Sequence, residues 1–368
     1  MNEILFAASF IICLLVIINY LVLSILFSQN LKTKSNSVLN DYPLVSVLMA
    51  ARNEESNIER CLESLFKQNY PDERFEILVG NDGSEDRTLD ILRKLESKTK
   101  NLTVFDIEKV IQKKAGKMNI LAQLGELAKG DVFLFTDADT WVPVNWIKVM
   151  TNEIMSGKGL VTGTTKIDER SVFGRFQSLE WVHSLAMMKV VSDLNIPVST
   201  LGNNMGISKE AFNSVGGFAG IPFSLTEDHE IFKQVSSQGF QSFHIFDNSI
   251  LAFSIPSSSL LDLLIQRKRW MKGAFQLPFS MLLLLGFNVL YYLALVTLFY
   301  FNYKIAIFIF LAKIIVQGLL IVKALKKLEE KIVWIDILLY DFYAGLINTG
   351  SLLIFFLPVK IKWKDRKY

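Results

Sequence analysis

Cysteine and histidine are scarce in this chain, with two of the first and three of the second among 368 residues. Cys13 sits inside an apolar run and Cys61 inside a helical pattern, so neither a disulfide framework nor a metal-ligand spacing is present. That excludes disulfide-stapled and zinc-module classes and suits a reducing compartment for the middle of the chain. No Ser-His or Cys-His nucleophile arrangement is evident. An excess of either charge is lacking as well: 39 Lys and Arg against 36 Asp and Glu leave a net charge of +3, and no basic arm or aromatic-rich basic repeat points to nucleic acid.

What the chain has in excess is apolar residues, at 51% of the composition. This is more than an ordinary soluble protein carries, in a length that allows two domain-sized units. The excess lies at the ends, in Ile4–Phe27 and from Phe279 to Pro358. The first run matches the roughly 20 residues of a spanning helix. It is too long for a signal-peptide core and has neither a basic leader nor a small-residue cleavage site, so a retained anchor over 1–30 is expected. Lys32 and Lys34 follow it, which places the middle of the chain in the cytoplasm by the positive-inside rule. Phe279–Phe301 and Ile305–Val322 are two further spans. The segment Ile332–Pro358 carries Asp336, Asp341, Gly345, Asn348 and Gly350, and a full crossing would put the basic tail outside. It is therefore expected to be re-entrant or surface-lying. The resulting division is an anchor at 1–30, a cytoplasmic domain at 42–275 that includes interface helices, and a membrane region at 276–368.

The middle alternates strand and helix patterns. Leu44–Ala50, Phe75–Val79 and Leu102–Ile107 read as strands, separated by helical spacing at Ile58, Leu62, Leu65 and Phe66 and at Leu89, Leu92 and Leu95. A helix over about Lys117–Ala128 leads to Val132–Thr136, an apolar run without polar alternation, as expected of a strand buried on both faces of a parallel sheet. This order argues for an α/β fold, a mostly parallel sheet with flanking helices. Phe173–Val191 reads equally as an amphipathic helix at a membrane surface or as a helix packed on the sheet.

The fourth strand delivers Asp137 and Asp139. Residues two apart on extended chain point the same way, so both carboxylates can face the volume where open α/β sheets meet their ligands. That pattern suits a hard cation; an Asp-rich turn is the plain alternative. Asn81-Asp82-Gly83-Ser84 and Asn53-Glu54 follow two other strands. Each is explained alone by a turn or a helix start, but together they line one sheet edge with acids and amides. Lys117 follows a Gly at a helix start, where a cation can meet a diphosphate, or is simply solvated. Thr226-Glu227-Asp228 opens another helix. Gln266-Arg267-Lys268-Arg269-Trp270 precedes a span and reads alone as a basic collar with an interfacial Trp.

In this order, Asn53-Glu54, Asn81-Asp82-Gly83-Ser84, Asp137-Ala138-Asp139, Thr226-Glu227-Asp228 and Gln266-x-x-Arg269-Trp270 resemble the motifs of membrane-bound family 2 glycosyltransferases. That group includes cellulose, hyaluronan and poly-N-acetylglucosamine synthases and ceramide glucosyltransferase-like enzymes, and the resemblance runs over about Leu44–Gly273. It implies a GT-A fold, the nucleotide-diphospho-sugar transferase fold, between N- and C-terminal transmembrane helices in a bacterial-type inner (plasma) membrane. It also implies inverting transfer from a nucleotide sugar, usually a UDP-sugar. By the resemblance, Asn53, Glu54 and Asp82 would meet the nucleotide, with Lys117 and Gln266 near the diphosphate. Asp139 and, less directly, Asp137 would ligate Mg²⁺ or Mn²⁺. Asp228 with Glu227 would supply the base, Arg269 would clamp the leaving diphosphate, and Trp270 and Asn204 would shape the acceptor site. The tail Trp363–Tyr368 resembles an ending of lipid-glycosylating members, with Asp365 in place of a Gly.

These roles suit the chemistry, because loss of a nucleoside diphosphate builds negative charge that a divalent ion and an Arg stabilise, while a carboxylate takes the attacking hydroxyl's proton. A lipid or lipid-linked acceptor fits the few spans. A growing polysaccharide fits Gln-x-x-Arg-Trp, and a non-catalytic membrane scaffold is the rival of another class.

Overall fold

The computed structural model describes residues 2–35, 41–111, 114–275, 277, 279–359, 362–363 and 366–367. In chain order its elements begin with α1 (Asn2–Gln29), β1 (Val45–Ala51), α2 (Ile58–Phe66), β2 (Phe75–Asn81), α3 (Thr88–Glu96), β3 (Leu102–Asp106), α4 (Gly116–Leu127) and β4 (Val132–Phe135). They continue with β5 (Thr140–Trp141), α5 (Trp146–Met155), β6 (Leu160–Thr162), β7 (Thr165–Ile167), α6 (Val172–Asp193), β8 (Met205–Ser208), α7 (Lys209–Ser214), α8 (Gly217–Gly220), α9 (Glu227–Ser237), β9 (Ser242–His244) and β10 (Ala252–Ser254). Four helices follow, α10 (Leu260–Ala274), α11 (Phe279–Phe301), α12 (Tyr303–Lys327) and α13 (Trp334–Phe356), and then the paired short strands β11 (Lys362–Trp363) and β12 (Arg366–Lys367). Lys364, Asp365 and Tyr368 of the tail motif lie outside the described residues. The chain forms two compact units, one of residues 32–168 and 191–255, the other of residues 1–31, 169–190 and 256–368.

The first unit is built on a seven-stranded sheet in the order β3-β2-β1-β4-β8-β6-β9. β3, β2, β1 and β4 are parallel neighbours, and β8 runs against β4 and β6. The chain steps outward from β1 through β2 to β3 and then returns to the opposite side of β1 as β4. The reversal between β1 and β4 is the place where open α/β sheets bind ligands, beyond the carboxyl ends of the strands.

Both faces of this sheet are covered, which is why the strands read as unbroken apolar runs. Val45, Val47, Met49, Val132 and Leu134 pack with Ile58, Leu62, Leu92 and Trp146 on one side. Leu48, Phe133 and Phe135 pack with Ile120, Phe212 and Phe218 on the other. Side chains alternate between faces along a strand, so each run feeds two cores. A smaller sheet, β5-β10-β7, carries Trp141 stacked on Phe253 with ring centroids 5.8 Å apart.

Among the described residues, the second unit holds four helices long and apolar enough to cross a membrane: Asn2–Gln29, Met281–Phe301, Tyr303–Lys327 and Trp334–Phe356. The last is one unbroken helix, which does not match a re-entrant path. The acids that argued against a span here are paired within the unit: Asp336 Oδ2 accepts from Arg175 Nε at 2.6 Å, and Asp341 pairs with Lys313. Lys313 Nζ also lies 4.7 Å and 4.9 Å from the ring centroids of Tyr291 and Tyr292. Two charged residues of α6 reach α13 and α10, with Arg175 on Asp336 and Glu180 on Arg267 and Tyr343.

Candidate functional site

The register of the sheet brings the acidic residues to one edge. Ala51 is paired with Asn81 and Leu48 with Phe135, so the segments leaving β1, β2 and β4 emerge side by side. Glu54 and Asp82 are both buried there, at 5% exposure each, and the Asp82 amide donates to Ala51 O at 2.9 Å. The loops are tied by side chains: Arg52 Nη1 donates to Asp82 O and Gly83 O, both at 2.7 Å, and Thr88 Oγ1 accepts from the Glu54 amide at 2.7 Å. Asn53 adopts a positive φ of 51°, a conformation Asn tolerates, and its Oδ1 accepts from the Glu85 amide at 2.9 Å. That side-chain oxygen shapes the loop.

Beyond β4, Asp137 and Asp139 flank the buried Ala138 in a turn closed by Thr140 N donating to Asp137 O at 3.0 Å. Thr140 Oγ1 donates to Asp139 Oδ1 at 3.2 Å. Beneath the turn lies Cys61, whose Sγ donates to Asp137 O at 3.4 Å. Burial first, then the carboxylates of Asp139, Asp137 and Glu54, push the Cys61 thiol well above its ordinary range. It is an inert thiol.

Lys117 is the centre of charge. It enters from the first turn of α4, and its Nζ lies 2.6 Å from Asp137 Oδ1 and 2.9 Å from Glu227 Oε1. Burial alone would depress this lysine, but Asp137, Glu227 and Asp228 outweigh it and hold the ammonium above the ordinary lysine range. Burial pushes Glu227 up, Lys117 pulls against that rise, and Asp228 adds to it. Asp228 is cradled by backbone: Oδ2 accepts from Gly202 N at 2.8 Å and Oδ1 from His229 N at 2.8 Å. A Cβ at Gly202 would meet Asp228 Oδ2 and Lys117 Nζ at 3.1 Å each, so glycine leaves room for this approach. His229 is depressed chiefly by burial and is neutral.

Not every candidate belongs to the edge. Asn204 is fully buried, accepting from Trp146 Nε1 at 2.8 Å and donating to Thr164 O at 2.9 Å and Ile250 O at 3.2 Å. It welds the core and is not free to meet an acceptor. Gln266, Arg269 and Trp270 lie on α10, in the helical unit. The alternative reading of this segment as a basic collar is not supported at Arg267 and Lys268, which are 8% and 6% exposed, with Lys268 Nζ donating to Leu357 O at 2.6 Å. Arg52 and Gly202 were missed in the sequence; Arg52 stood beside Asn53-Glu54 as a signal, whereas Gly202 acts through its backbone and left none.

The family model of glycosyl transferase family 21 matches residues 8–368. The chain belongs to this family. The match takes in both units, and the likeness to family 2 glycosyltransferases read from the motifs stands with it. This family 21 member is 27% identical over 263 residues to the probable glycosyltransferase YdaM of Bacillus subtilis, covering 67% of this chain and 59% of that protein. It is 25% identical over 257 residues to the poly-β-1,6-N-acetyl-D-glucosamine synthase of Staphylococcus aureus, covering 69% and 60%. It thus spans only about three fifths of the length of these relatives. Among solved structures it resembles a mannosyltransferase from Pyrobaculum calidifontis, with a TM-score of 0.61 at 14% identity, covering 96% of this chain and 99% of the other. That likeness establishes the GT-A fold.

Among the described residues no three His, Cys, Asp or Glu side chains gather as a ready cage. Asp137 and Asp139 are hard, half-exposed oxygen donors. Mg²⁺ in particular is commonly held by one or two carboxylates plus substrate phosphates, so a pair of acids fits such an ion better than a closed protein cage would.

Proposed function

We propose that this glycosyltransferase moves a sugar from a UDP-sugar to a lipid or lipid-linked acceptor, with inversion, at the cytoplasmic face of the bacterial-type inner membrane. The observation that carries the reading is the gathering of Glu54, Asp82, Asp137 and Asp139 on neighbouring strand ends at the β1/β4 reversal, with Asp228 reaching the same lysine as Asp137. Glu54 and Asp82 receive the nucleoside, and Asn53 holds the loop that presents them. Asp139 and Asp137 would hold Mg²⁺ or Mn²⁺, which supplies positive charge against the leaving diphosphate. The mannosyltransferase of the same fold was solved with GDP-mannose and Mn²⁺, in keeping with such a donor and ion.

Lys117 neutralises Asp137 and Glu227 in the protein alone and lies close enough to the edge to share a diphosphate's charge. Asp228 takes the proton of the attacking hydroxyl; its two backbone amides fix the carboxylate's orientation. By the family carry-over, Gln266 and Arg269 meet the diphosphate and Trp270 the acceptor. By the same carry-over, the anomeric carbon inverts.

A lipid acceptor is favoured by the four long apolar helices among the described residues, which would set the enzyme beside lipid. A processive polysaccharide product is the second reading, favoured by the likeness to the S. aureus synthase. Full-length protein with Mn²⁺ and each of several UDP-sugars should release UDP and label an organic-solvent extract with single sugars. A ladder of polymer would overturn the lipid acceptor in favour of the second reading, and failure to bind any nucleotide sugar would point to a scaffold. Asp228→Asn should lose transfer by about 10²- to 10⁴-fold while UDP still raises its melting temperature. Wild-type transfer by that variant would remove Asp228 as the base.

A further inference from the structure

Gln266 and Trp270 are not independent side chains on α10. Arg267 and Trp270 are three apart on the helix and therefore share a face. The Arg267 guanidinium lies 4.1 Å over the Trp270 ring. The same group donates from Nη1 to Gln266 Oε1 at 2.7 Å and from Nε to Glu180 Oε1 at 2.8 Å. The other oxygen of Glu180 accepts from the Tyr343 hydroxyl at 2.8 Å. Trp181, next to Glu180, sets its ring edge-on to Trp270 with centroids 5.7 Å apart. Phe176 stacks on Tyr343 at 5.3 Å, so the tyrosine is itself held.

Arg267 and Glu180 are largely out of water, with side-chain exposures of 9% and 17%. A charge-assisted bond there is strong, and loss of one partner leaves the other charge uncompensated. A guanidinium that faced head groups would need neither partner.

We propose that Glu180 and Tyr343 are positioning residues for the transfer reaction: through Arg267 they fix the ring of Trp270 and the amide of Gln266. The inference rests on the roles proposed for Gln266 and Trp270. It separates the two arginines of the segment, since Arg267 gives its face to Trp270 while Arg269 remains for the diphosphate. It also means that one face of Trp270 is covered by Arg267. Because Glu180 lies on α6 and Tyr343 on α13, the geometry of the α10 motif is set from a membrane-type helix far away in sequence.

The test uses the full-length protein in detergent, labelled with 5-fluorotryptophan, with Trp270→Phe assigning the Trp270 ¹⁹F resonance. Glu180→Gln should shift and broaden that resonance while the Trp146 resonance, in the buried core of the other unit, stays in place. Tyr343→Phe removes one bond only and should shift it in the same direction by less, which keeps the test alive if Glu180→Gln folds poorly. Both variants should still show a melting shift with UDP, reduced in Glu180→Gln where Gln266 is released, and Glu180→Gln should lose transfer by about 10- to 100-fold, as misplacement of a binding side chain does. A Trp270 resonance unmoved in both variants overturns the positioning role. Absence of any UDP shift in the wild type overturns the donor reading instead, so the two failures are distinguishable.

Discussion

Lys117 concentrates the electrostatics of the sheet edge in a single side chain. It stabilises the fold below the ordinary lysine range, near pH 10.4, and that contribution is lost only as pH rises through its raised value, so it is constant through neutrality. Glu227 has the same sign for a different reason. A carboxyl raised in the folded state gains stability when protonated, so acid favours the fold as pH falls through the raised value. Lys117→Met removes the one group pulling Glu227 down. The variant should be less stable than wild type by about 3 kcal/mol near neutrality, as when one partner of a buried pair is lost. The gap should narrow as pH falls into the acid range, because protonation of Glu227 then relieves the deficit. A melting series in which the gap stays constant or widens would remove Glu227 as the responsible group. At this scale the acids were legible from their places after strands, but their partners were not. Asn204 was misassigned because its bonds run to Trp146 and Ile250, both distant in sequence.

Among the elements, α4 shows how closely the site depends on packing. It approaches β2 at Gly80, where an added Cβ would lie 2.3 Å from Ile120 Cγ2. The γ-methyl of a β-branched residue cannot swing away, so α4 must move, and Lys117 rides on its first turn. Gly80→Ala should cost about 1–3 kcal/mol and lower the melting temperature accordingly. An unchanged melting temperature would show that α4 is loosely held. Strands and helices of the sheet unit were readable because burial on both faces leaves apolar runs and helical spacing survives between them. The form of α13 was not, since the partners that neutralise its acids, Arg175 and Lys313, lie on α6 and α12. The surface position considered for α6 was equally undecidable from its own sequence, because Glu180 and Arg175 look solvent-facing until Arg267 and Asp336 are placed beside them.

Taken whole, the chain joins a sheet unit to a helical unit in one family match over residues 8–368. In the membrane reading proposed above, the buried Lys313–Asp341 pair bears on how the protein is made. Each of these charges alone costs about 2.5–3.5 kcal/mol at the centre of an inserting helix. Synthesis presents α12 before α13, so Lys313 waits without its anion until Asp341 arrives. A chain ending at Lys331 should therefore insert α12 incompletely, as read by glycosylation mapping, and Lys313→Leu in that shortened chain should restore insertion. Complete insertion of the shortened wild-type chain would overturn this. In that reading the two helices would enter the bilayer as a hairpin, with the ion pair as the condition of their entry.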